Sequence, residues 1–216
     1  MRKQEHTEAD AFQGYIHRQA IVDSTNVGDG TRIWAFSHVM DGASIGRSCN
    51  IGEGCFIESG ACLGSHVTLK NGVAVWTGID IGDYAFIGPN VVFTNDLRPR
   101  AWIKSLQFVG TSIGRGVSIG ANSTIICGVT LDRFGMIGAG SVVTQDTKPF
   151  ELLVGNPARH QGRVCICGQK LKNSEARCSC GVDIIWNDDD EPSIDEEQPA
   201  VQIAGLLPND RTANKI

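Results

Sequence analysis

Four cysteines near the C-terminal end of the chain have the types and spacing of a metal site. They form two short pairs, CICG and CSCG, each followed by glycine and separated by ten residues: Cys165, Cys167, Cys178 and Cys180. Four thiolates on two such turns can hold a zinc ion tetrahedrally, and a closed set of four ligands indicates a structural role. Two disulfides are the alternative, which a reducing compartment would disfavour.

A second group of reactive residues lies in the segment TNDLRPRAWIKSLQFVGTS, residues 94–112. Arg98, Arg100 and Lys104 concentrate positive charge on an otherwise acidic chain, beside the Asn95–Asp96 pair. Guanidinium and ammonium groups suit a phosphate-bearing ligand. A solvated loop without a ligand is equally compatible with this composition.

The elements that must position these residues follow a period of six. An aliphatic residue returns at every sixth position from Ile21 to Ile87, Phe93 continues the series, and it resumes from Ile113 to Val143. This period fits neither an amphipathic helix nor an alternating strand. It is typical of a parallel β-helix, in which short strands turn corners and stack their aliphatic side chains inside. Since the interruption of twenty residues is not a multiple of six, segment 94–112 is predicted to leave the coil as a loop.

Four motifs in register with this period resemble a known group of enzymes. They are RIWAFSHV (32–39), LKNGVAVWTG (69–78), GPNVVFTNDLRPR (88–100) and LVGNPAR (153–159). Together they resemble the left-handed β-helix acyltransferases, and among them the bacterial N-acetyltransferases of nucleotide-linked 3-amino sugars. The resemblance implies an all-β, single-stranded, left-handed coil of about eighteen residues per turn. It also implies acetyl-CoA as cosubstrate, a UDP- or dTDP-linked sugar of surface polysaccharide (lipopolysaccharide or O-antigen) biosynthesis, and a homotrimer with active sites between subunits.

The resemblance also implies catalytic residues. Asn71 is the position at which the family meets the reacting amine or carbonyl, and an amide there can orient but not deprotonate. With eighteen residues per coil, Glu58, Trp76 and Thr94 stack in one column that leads into the loop. Glu58 is a candidate for orienting or deprotonating the amine, or is a solvated carboxylate. His38 is a candidate base or sugar contact, or packs beneath the Trp34 motif.

Further residues are implied for the two substrates. Trp76 could stack on a base or sugar, or simply cover the coil surface. Substrate contacts are expected from Trp76, Thr94, Asn95, Asp96, Arg98 and Arg100. For the cofactor, backbone amides near Ala121 and Ala139 are expected to receive the pantetheine arm of CoA, and Lys148 and Arg159 to meet its phosphates.

Composition divides the chain further. Seven of the 24 acidic residues lie in 187–199, within a net charge of −5. The predicted organisation is an N-terminal extension at 1–14, a β-helix at 15–160 with loop 94–112, a zinc-ribbon-like module at 161–186 and an acidic disordered tail at 187–216. No apolar stretch resembles a signal peptide or a membrane span, so we expect a cytoplasmic protein with no membrane and no nucleic-acid partner.

Three other interpretations remain at this point. The acceptor could be a sugar 4-amine, a serine or a lipid precursor, because a fold alone does not fix the substrate. A non-catalytic scaffold is possible, although the complete TNDLRPR segment favours an enzyme. A zinc carbonic anhydrase needs three histidine ligands, and the repeats contain His38 and His66 but no third histidine.

Overall fold

The computed structural model describes residues 13–103, 108–189 and 191–198, and every regular element in them is a β-strand. Most strands are two residues long, and those of the coil pair in parallel with the strand one coil away. The fold is the predicted left-handed parallel β-helix, with three flat faces joined by corners. Within these residues no helix is long and apolar enough to cross a membrane.

The first face carries eight parallel strands and continues into two antiparallel ones. The parallel strands are Tyr15–Ile16, Arg32–Ile33, Asn50–Ile51, Thr68–Leu69, Phe86–Ile87, Ser118–Ile119, Met136–Ile137 and Glu151–Val154. Arg159–Val164 and Lys170–Leu171 then follow in antiparallel order. The sheet therefore runs without interruption across the predicted domain boundary at residue 160.

The other two faces complete the triangular coil. The second face consists of Ile21–Val22, His38–Val39, Phe56–Ile57, Ala74–Val75, Val92–Phe93, Thr124–Ile125 and Val142–Val143. The third face consists of Ser44–Ile45, Cys62–Leu63, Ile79–Ile81, Thr111–Ile113 and Thr130–Leu131. A separate hairpin pairs Ile185–Trp186 with Pro192–Ser193.

The core is the stack of inward aliphatic side chains that the period predicted. Ile33, Ile51 and Leu69 on the first face and Ile57 and Val75 on the second are completely buried. Cys49 and Cys55 are also buried, and burial raises the pKa of Cys55 to about 11. Continuous burial of aliphatic side chains along the axis provides the main stabilisation of such a solenoid.

The first coil departs from the predicted series. Ile21 pairs with His38 and is 56% exposed, while its neighbour Val22 pairs with the buried Val39. The inward residue of this strand is therefore Val22, and Ile21 was wrongly assigned to the core. The reason is a coil one residue shorter than the next, because Ile16 aligns with Ile33 whereas Ile33 aligns with Ile51.

The acidic segment after residue 186 is ordered where the structure describes it, contrary to the predicted disorder from residue 187. Pro192–Ser193 forms a hairpin strand, and the side chain of Gln198 accepts a hydrogen bond from the Asp183 amide. Two acidic side chains also pair with cations on the coil, Glu191 with Lys148 at 2.7 Å and Glu196 with Arg115 at 3.0 Å. Composition alone missed these long-range partners. Residues 199–216 of the predicted tail lie outside the described residues, as does most of the predicted extension at 1–14.

Candidate active site

A cleft of about 590 Å³ lies beside one of the predicted catalytic residues. It lies along the corner that joins the first face to the second, which we call the first corner (residues 34–37, 52–55, 70–73, 88–91, 120–123 and 138–141). Asn71 is the predicted catalytic residue that lines it. The lining residues are Tyr15, His17, Trp34, Ala35, Asn50, Gly52, Glu53, Leu69, Lys70 and Asn71.

The first corner aligns Asn71 with the predicted CoA surface. The backbone amide of Asn90 donates to the Asn71 carbonyl at 3.0 Å. In the following coil, the backbone amide of Asn122 donates to the Pro89 carbonyl, also at 3.0 Å. The next step is a bond of 2.8 Å from the Gly140 amide to the Ala121 carbonyl. Asn71, Pro89, Ala121 and Ala139 therefore occupy equivalent positions of successive coils. The structure thus brings Asn71, Ala121 and Ala139 onto one edge of the molecule.

A ladder of rings begins at His38 on the second face and ends at Trp76, directly after a strand of that face. The His38 and Phe56 rings are 5.6 Å apart, as are those of Phe56 and Trp76. His38 Nε2 lies 3.0 Å from Asp23 Oδ2, a contact that orients the imidazole ring. The Trp76 indole donates a hydrogen bond of 2.9 Å to the Phe93 carbonyl. These contacts fix both rings on the outer surface of the coil.

Glu58 lies at the corner between the second and third faces, which we call the second corner. Its Oε2 accepts hydrogen bonds from the Thr77 amide at 2.8 Å and from the Thr77 hydroxyl at 2.9 Å. One of its two oxygens is therefore engaged in holding the next coil. Because Asn71 lies at the first corner and Glu58 at the second, one chain does not bring these two residues together.

The loop leaves the coil at the second corner, directly above Glu58 and Trp76. The Thr94 hydroxyl accepts a hydrogen bond from the Cys127 amide at 2.9 Å, which attaches the start of the loop to the following coil. The Asn95 carbonyl accepts one from Val109 at 2.9 Å, which closes the loop at its base. The column Glu58, Trp76, Thr94 is thus present as the eighteen-residue spacing predicted.

The polar residues further along the loop face solvent. Asp96 Oδ1 accepts a bond of 2.8 Å from the Arg98 amide, and Arg100 donates to the neighbouring Pro99 carbonyl. Both arginines are exposed, and Trp102 is 79% exposed. Lys104 lies outside the described residues.

The two cations predicted for the CoA phosphates are exposed at the C-terminal end of the coil. Arg159 donates a hydrogen bond to the Ala158 carbonyl at 3.0 Å, and the residue is exposed. Lys148 forms the 2.7 Å ion pair with Glu191 already described. A phosphate that binds Lys148 must therefore compete with the Glu191 carboxylate.

The four C-terminal cysteines converge as their spacing predicted. One potential ligand atom from each lies within 4.8 Å of all the others. Cys165 and Cys180 sulfurs are 3.7 Å apart, and so are those of Cys167 and Cys178. A disulfide would hold two sulfurs at about 2.05 Å. Tetrahedral zinc with Zn–S bonds of about 2.3 Å would hold them at about 3.8 Å, so the arrangement fits a metal and not disulfides.

The backbone of the two cysteine pairs is built in the same way. Gly168 and Gly181, which follow the pairs, have φ angles of 85° and 92°, a region that glycine adopts without strain. Their amides donate to the carbonyls of Cys165 and Cys178, both at 2.8 Å. Burial raises the pKa of Cys167 to about 11, so a bound cation would be needed to keep its thiolate form at neutral pH.

Comparison with known proteins agrees with this geometry. Residues 24–59 match the bacterial transferase hexapeptide family (six repeats), and residues 42–77 and 110–145 match the hexapeptide repeat of succinyl-transferase. The dTDP-3-amino-3,6-dideoxy-alpha-D-galactopyranose 3-N-acetyltransferase of Aneurinibacillus thermoaerophilus is 47% identical over 169 residues, which cover 77% of this chain and 88% of that protein. The chain belongs to the hexapeptide-repeat acyltransferases. It is an acyltransferase by its family, as the motifs predicted.

Other hexapeptide-repeat acyltransferases are similar over shorter stretches or in fold alone. Mitochondrial serine acetyltransferase 3 of Arabidopsis thaliana is 40% identical over 86 residues, 40% of this chain and 22% of that protein. An N-acyltransferase from Bacillus cereus, crystallised with dTDP and coenzyme A, shares the fold with a TM-score of 0.52 and 21% identity. That match covers 63% of this chain and 83% of the other.

The cleft contains residues that the sequence did not single out. Tyr15 and Trp34 form its aromatic wall, with ring centroids 5.3 Å apart, and the Trp34 indole donates to Asn50 Oδ1 at 3.0 Å. Trp34 stands in the RIWAFSHV motif, and Glu53 shares the eighteen-residue column of Asn71. The motif and the coil length could therefore have predicted both residues as part of the site. Tyr15 could not be predicted in the same way, because the first coil is one residue shorter and the six-residue period does not show its register.

Proposed function

We propose that this chain is an acetyl-CoA-dependent N-acetyltransferase that acts on the amine of a UDP- or dTDP-linked 3-amino sugar. It would act in the cytoplasm, in the biosynthesis of a bacterial surface polysaccharide such as O-antigen. The observation that carries the proposal is the 47% identity, over 88% of its length, to an enzyme named as a 3-N-acetyltransferase of a dTDP-linked amino sugar. The fold shared with an N-acyltransferase that binds dTDP and CoA is in keeping with it.

The reaction depends more on the relative position of the amine and the thioester than on reactive side chains. The amine nitrogen attacks the thioester carbonyl, the C–S bond breaks, and the proton lost by nitrogen ends on the CoA thiol. Reacting atoms held about 3 to 3.5 Å apart remove much of the entropic barrier, and donors to the transient oxyanion remove more. The Asn71 amide can supply such a donor at the cleft, and Glu58 and His38 are the further candidates proposed for orienting or deprotonating the amine.

Acetyl-CoA is proposed to lie along the first corner. Its pantetheine arm would meet backbone amides near Ala121 and Ala139, whose column leads towards Asn71. Lys148 and Arg159 would meet its phosphates. Titration of acetyl-CoA by calorimetry should show weaker, less salt-dependent binding for Lys148→Ala and Arg159→Ala, because each variant removes a charge contact that salt screens. Unchanged binding in both variants would remove this assignment.

The remaining substrate residues lie away from the first corner of the same chain. Trp76, Thr94, Asn95, Asp96, Arg98 and Arg100 follow the second face and the loop at the second corner. In a homotrimer these residues of one subunit could face the first corner of its neighbour, which would complete a shared site. The second face offers apolar side chains for such contact, with Ile21 56% and Val92 51% exposed.

Thiol release from acetyl-CoA tests the proposed activity. The protein is incubated with acetyl-CoA and nucleotide sugars that carry the amine at C3 or C4, linked to UDP or dTDP. Release with a 3-amino sugar supports the proposal, and the product mass should increase by one acetyl group. Release with a 4-amino sugar or serine alone would assign another acceptor, and no release with any of them would favour a scaffold.

We propose that Cys165, Cys167, Cys178 and Cys180 bind one structural zinc ion. The support is the 3.7 Å spacing of their sulfurs and the matching turns of the two pairs. The ion would join the strands after residue 160 to the coil, since the module packs on Phe134 and Phe150. Metal analysis of purified protein should find about one equivalent of zinc, and Cys178→Ser should lower it while Cys62→Ser, an exposed cysteine on the third face, should not. A zinc content far below one equivalent in the native protein would contradict the proposal.

A further inference from the structure

The cleft at the first corner combines an aromatic wall with two opposite charges. Tyr15 and Trp34 form the wall, and the hydrogen bond from Trp34 to Asn50 fixes the indole. Glu53 and Lys70 both line the cleft and both are exposed. Aromatic surfaces suit a sugar ring or a base, and a cleft with one carboxylate and one ammonium suits a ligand that carries both charges. A nucleotide-linked amino sugar carries a diphosphate and a protonated amine.

Glu53 lies in the column of Asn71, one coil before it. The Gly72 amide donates to the Glu53 carbonyl at 3.0 Å, and the Asn90 amide donates to the Asn71 carbonyl in the same way. Equivalent positions of adjacent coils are separated by about 4.8 Å. A nitrogen atom that contacts the Asn71 amide can therefore also contact the Glu53 carboxylate.

The carboxylates of Glu53 and Glu58 differ in their availability for a substrate amine. Glu58 is held by the amide and hydroxyl of Thr77 and lies at the second corner. The side chain of Glu53 has no hydrogen bond or ion pair with any residue that the structure describes, and Glu53 is an exposed residue of the cleft lining. A carboxylate that orients a substrate amine needs oxygens that no other group holds, and Glu53 meets this condition among the residues that the structure describes.

We propose that Glu53 binds the amine of the sugar substrate beside Asn71, in the cleft at the first corner. The proposal rests on the proposed N-acetyltransferase function. The Glu53 carboxylate accepts hydrogen bonds from the ammonium form, which places the nitrogen at the end of the CoA column. The ammonium then loses one proton to solvent, the free amine attacks the thioester, and the second proton goes to the departing sulfur of CoA.

The test compares an amino substrate with its hydroxyl analogue. Affinities of native protein and Glu53→Gln are measured by calorimetry for a nucleotide-linked 3-amino sugar and for the same sugar with a 3-hydroxyl group. Glu53→Gln should weaken binding of the amino sugar by about 10- to 100-fold, the range of a hydrogen bond to a charged group. The hydroxyl analogue and acetyl-CoA should bind as before. Asp80→Asn, which changes an exposed carboxylate on the third face, is the matched control.

Two results would overturn the proposal. One is an unchanged preference for the amino sugar in Glu53→Gln, and the other is loss of that preference in Glu58→Gln but not in Glu53→Gln. Failure of the proposed function is distinguished from these results, because the native protein would then release no thiol with any amino sugar. Glu53→Asp adds a check on charge, since it should keep part of the preference that Glu53→Gln loses.

Discussion

Asn71 shows how far a single residue can be interpreted before its surroundings are known. The motif predicted that it meets the reacting group, and in the structure Asn71 lines the cleft at the first corner. Its amide can donate to an oxyanion and accept from an amine, but it cannot take a proton at neutral pH. We therefore expect Asn71 to act by orientation and by stabilising charge.

Asn71→Ala should lower kcat/KM for the amino sugar by about 100-fold, the usual effect of removing one oxyanion donor. Acetyl-CoA affinity should change little, because the corner amides and cations that bind it remain. Steady-state thiol release and calorimetry measure the two quantities. Asn26→Ala, which removes an exposed asparagine bonded to Ser44, serves as the control, and equal losses in both variants would show a general effect on folding.

Glu58 illustrates what a residue pattern cannot show. Its column with Trp76 and Thr94 was predictable from the coil length, and the register of the neighbouring strands places the three residues at equivalent positions. Its engagement by Thr77 depends on the rotamers of two side chains in adjacent coils. No spacing rule gives that, so its proposed role as a proton acceptor remains a prediction.

At the level of elements, glycine determines how closely the coils can stack. A Cβ atom on Gly46 would lie 2.5 Å from the backbone carbon of Gly64 in the next coil, too close for any rearrangement of side chains to relieve. Gly54 is a different case, because a Cβ there would meet nothing within 4 Å but its φ angle is 68°. Backbone approach and backbone conformation are thus separate reasons for glycine in one repeat.

These two glycines give a prediction for the stability of the coil. Gly54→Ala should lower the free energy of unfolding by about 1 to 2 kcal/mol, the cost of an ordinary residue in the left-handed region. Gly46→Ala should lower it by more, because adjacent coils must separate to admit the methyl group. Urea unfolding followed by circular dichroism compares them. A smaller loss for Gly46→Ala than for Gly54→Ala would contradict this account of coil stacking.

The acidic segment that follows the cysteine module is a second element with a testable role. Glu191 pairs with Lys148, and the hydrogen bond from Lys148 lowers the pKa of the Glu191 carboxyl. The pair is therefore formed at neutral pH and is lost as the pH falls through the lowered pKa of Glu191. If Lys148 binds a CoA phosphate, Glu191 competes with the cofactor.

Glu191→Gln should consequently strengthen acetyl-CoA binding, by less than about ten-fold because the pair is exposed and screened by solvent. The same change in a Lys148→Ala background should have no effect on acetyl-CoA affinity, because the cation for which Glu191 and the phosphate compete is absent. Calorimetric titration of both proteins at low salt decides this. Weaker binding after Glu191→Gln would show that the segment supports the cofactor instead of competing with it.

For the whole molecule, the separation of predicted site residues is the main finding. Asn71, Ala121 and Ala139 lie at the first corner, whereas Glu58, Trp76 and the loop lie at the second. A triangular coil cannot bring two corners together within one chain. A site that uses both sets therefore requires a second chain, which agrees with the proposed trimer.

Sedimentation equilibrium should therefore give a mass of three times the 23.2 kDa of one chain. Val92→Glu places a charge on the apolar second face and should reduce that mass, because a buried unpaired carboxylate opposes association. Thiol release should fall in parallel if the site is shared. A native protein that is monomeric and fully active would contradict both the proposed trimer and the shared site.

The sequence by itself determined the coil, the point where the loop leaves it and the convergence of the four cysteines. These features follow from local spacing, because a six-residue period fixes which side chains enter the core and an eighteen-residue coil fixes which residues stack. The tertiary structure decided the inward residue of the first strand, the order of residues 191–198, the partner of Glu58 and the cleft that contains Glu53. Each of these depends on contacts between residues far apart in the chain, where the register of one coil and the rotamers of the next set the outcome.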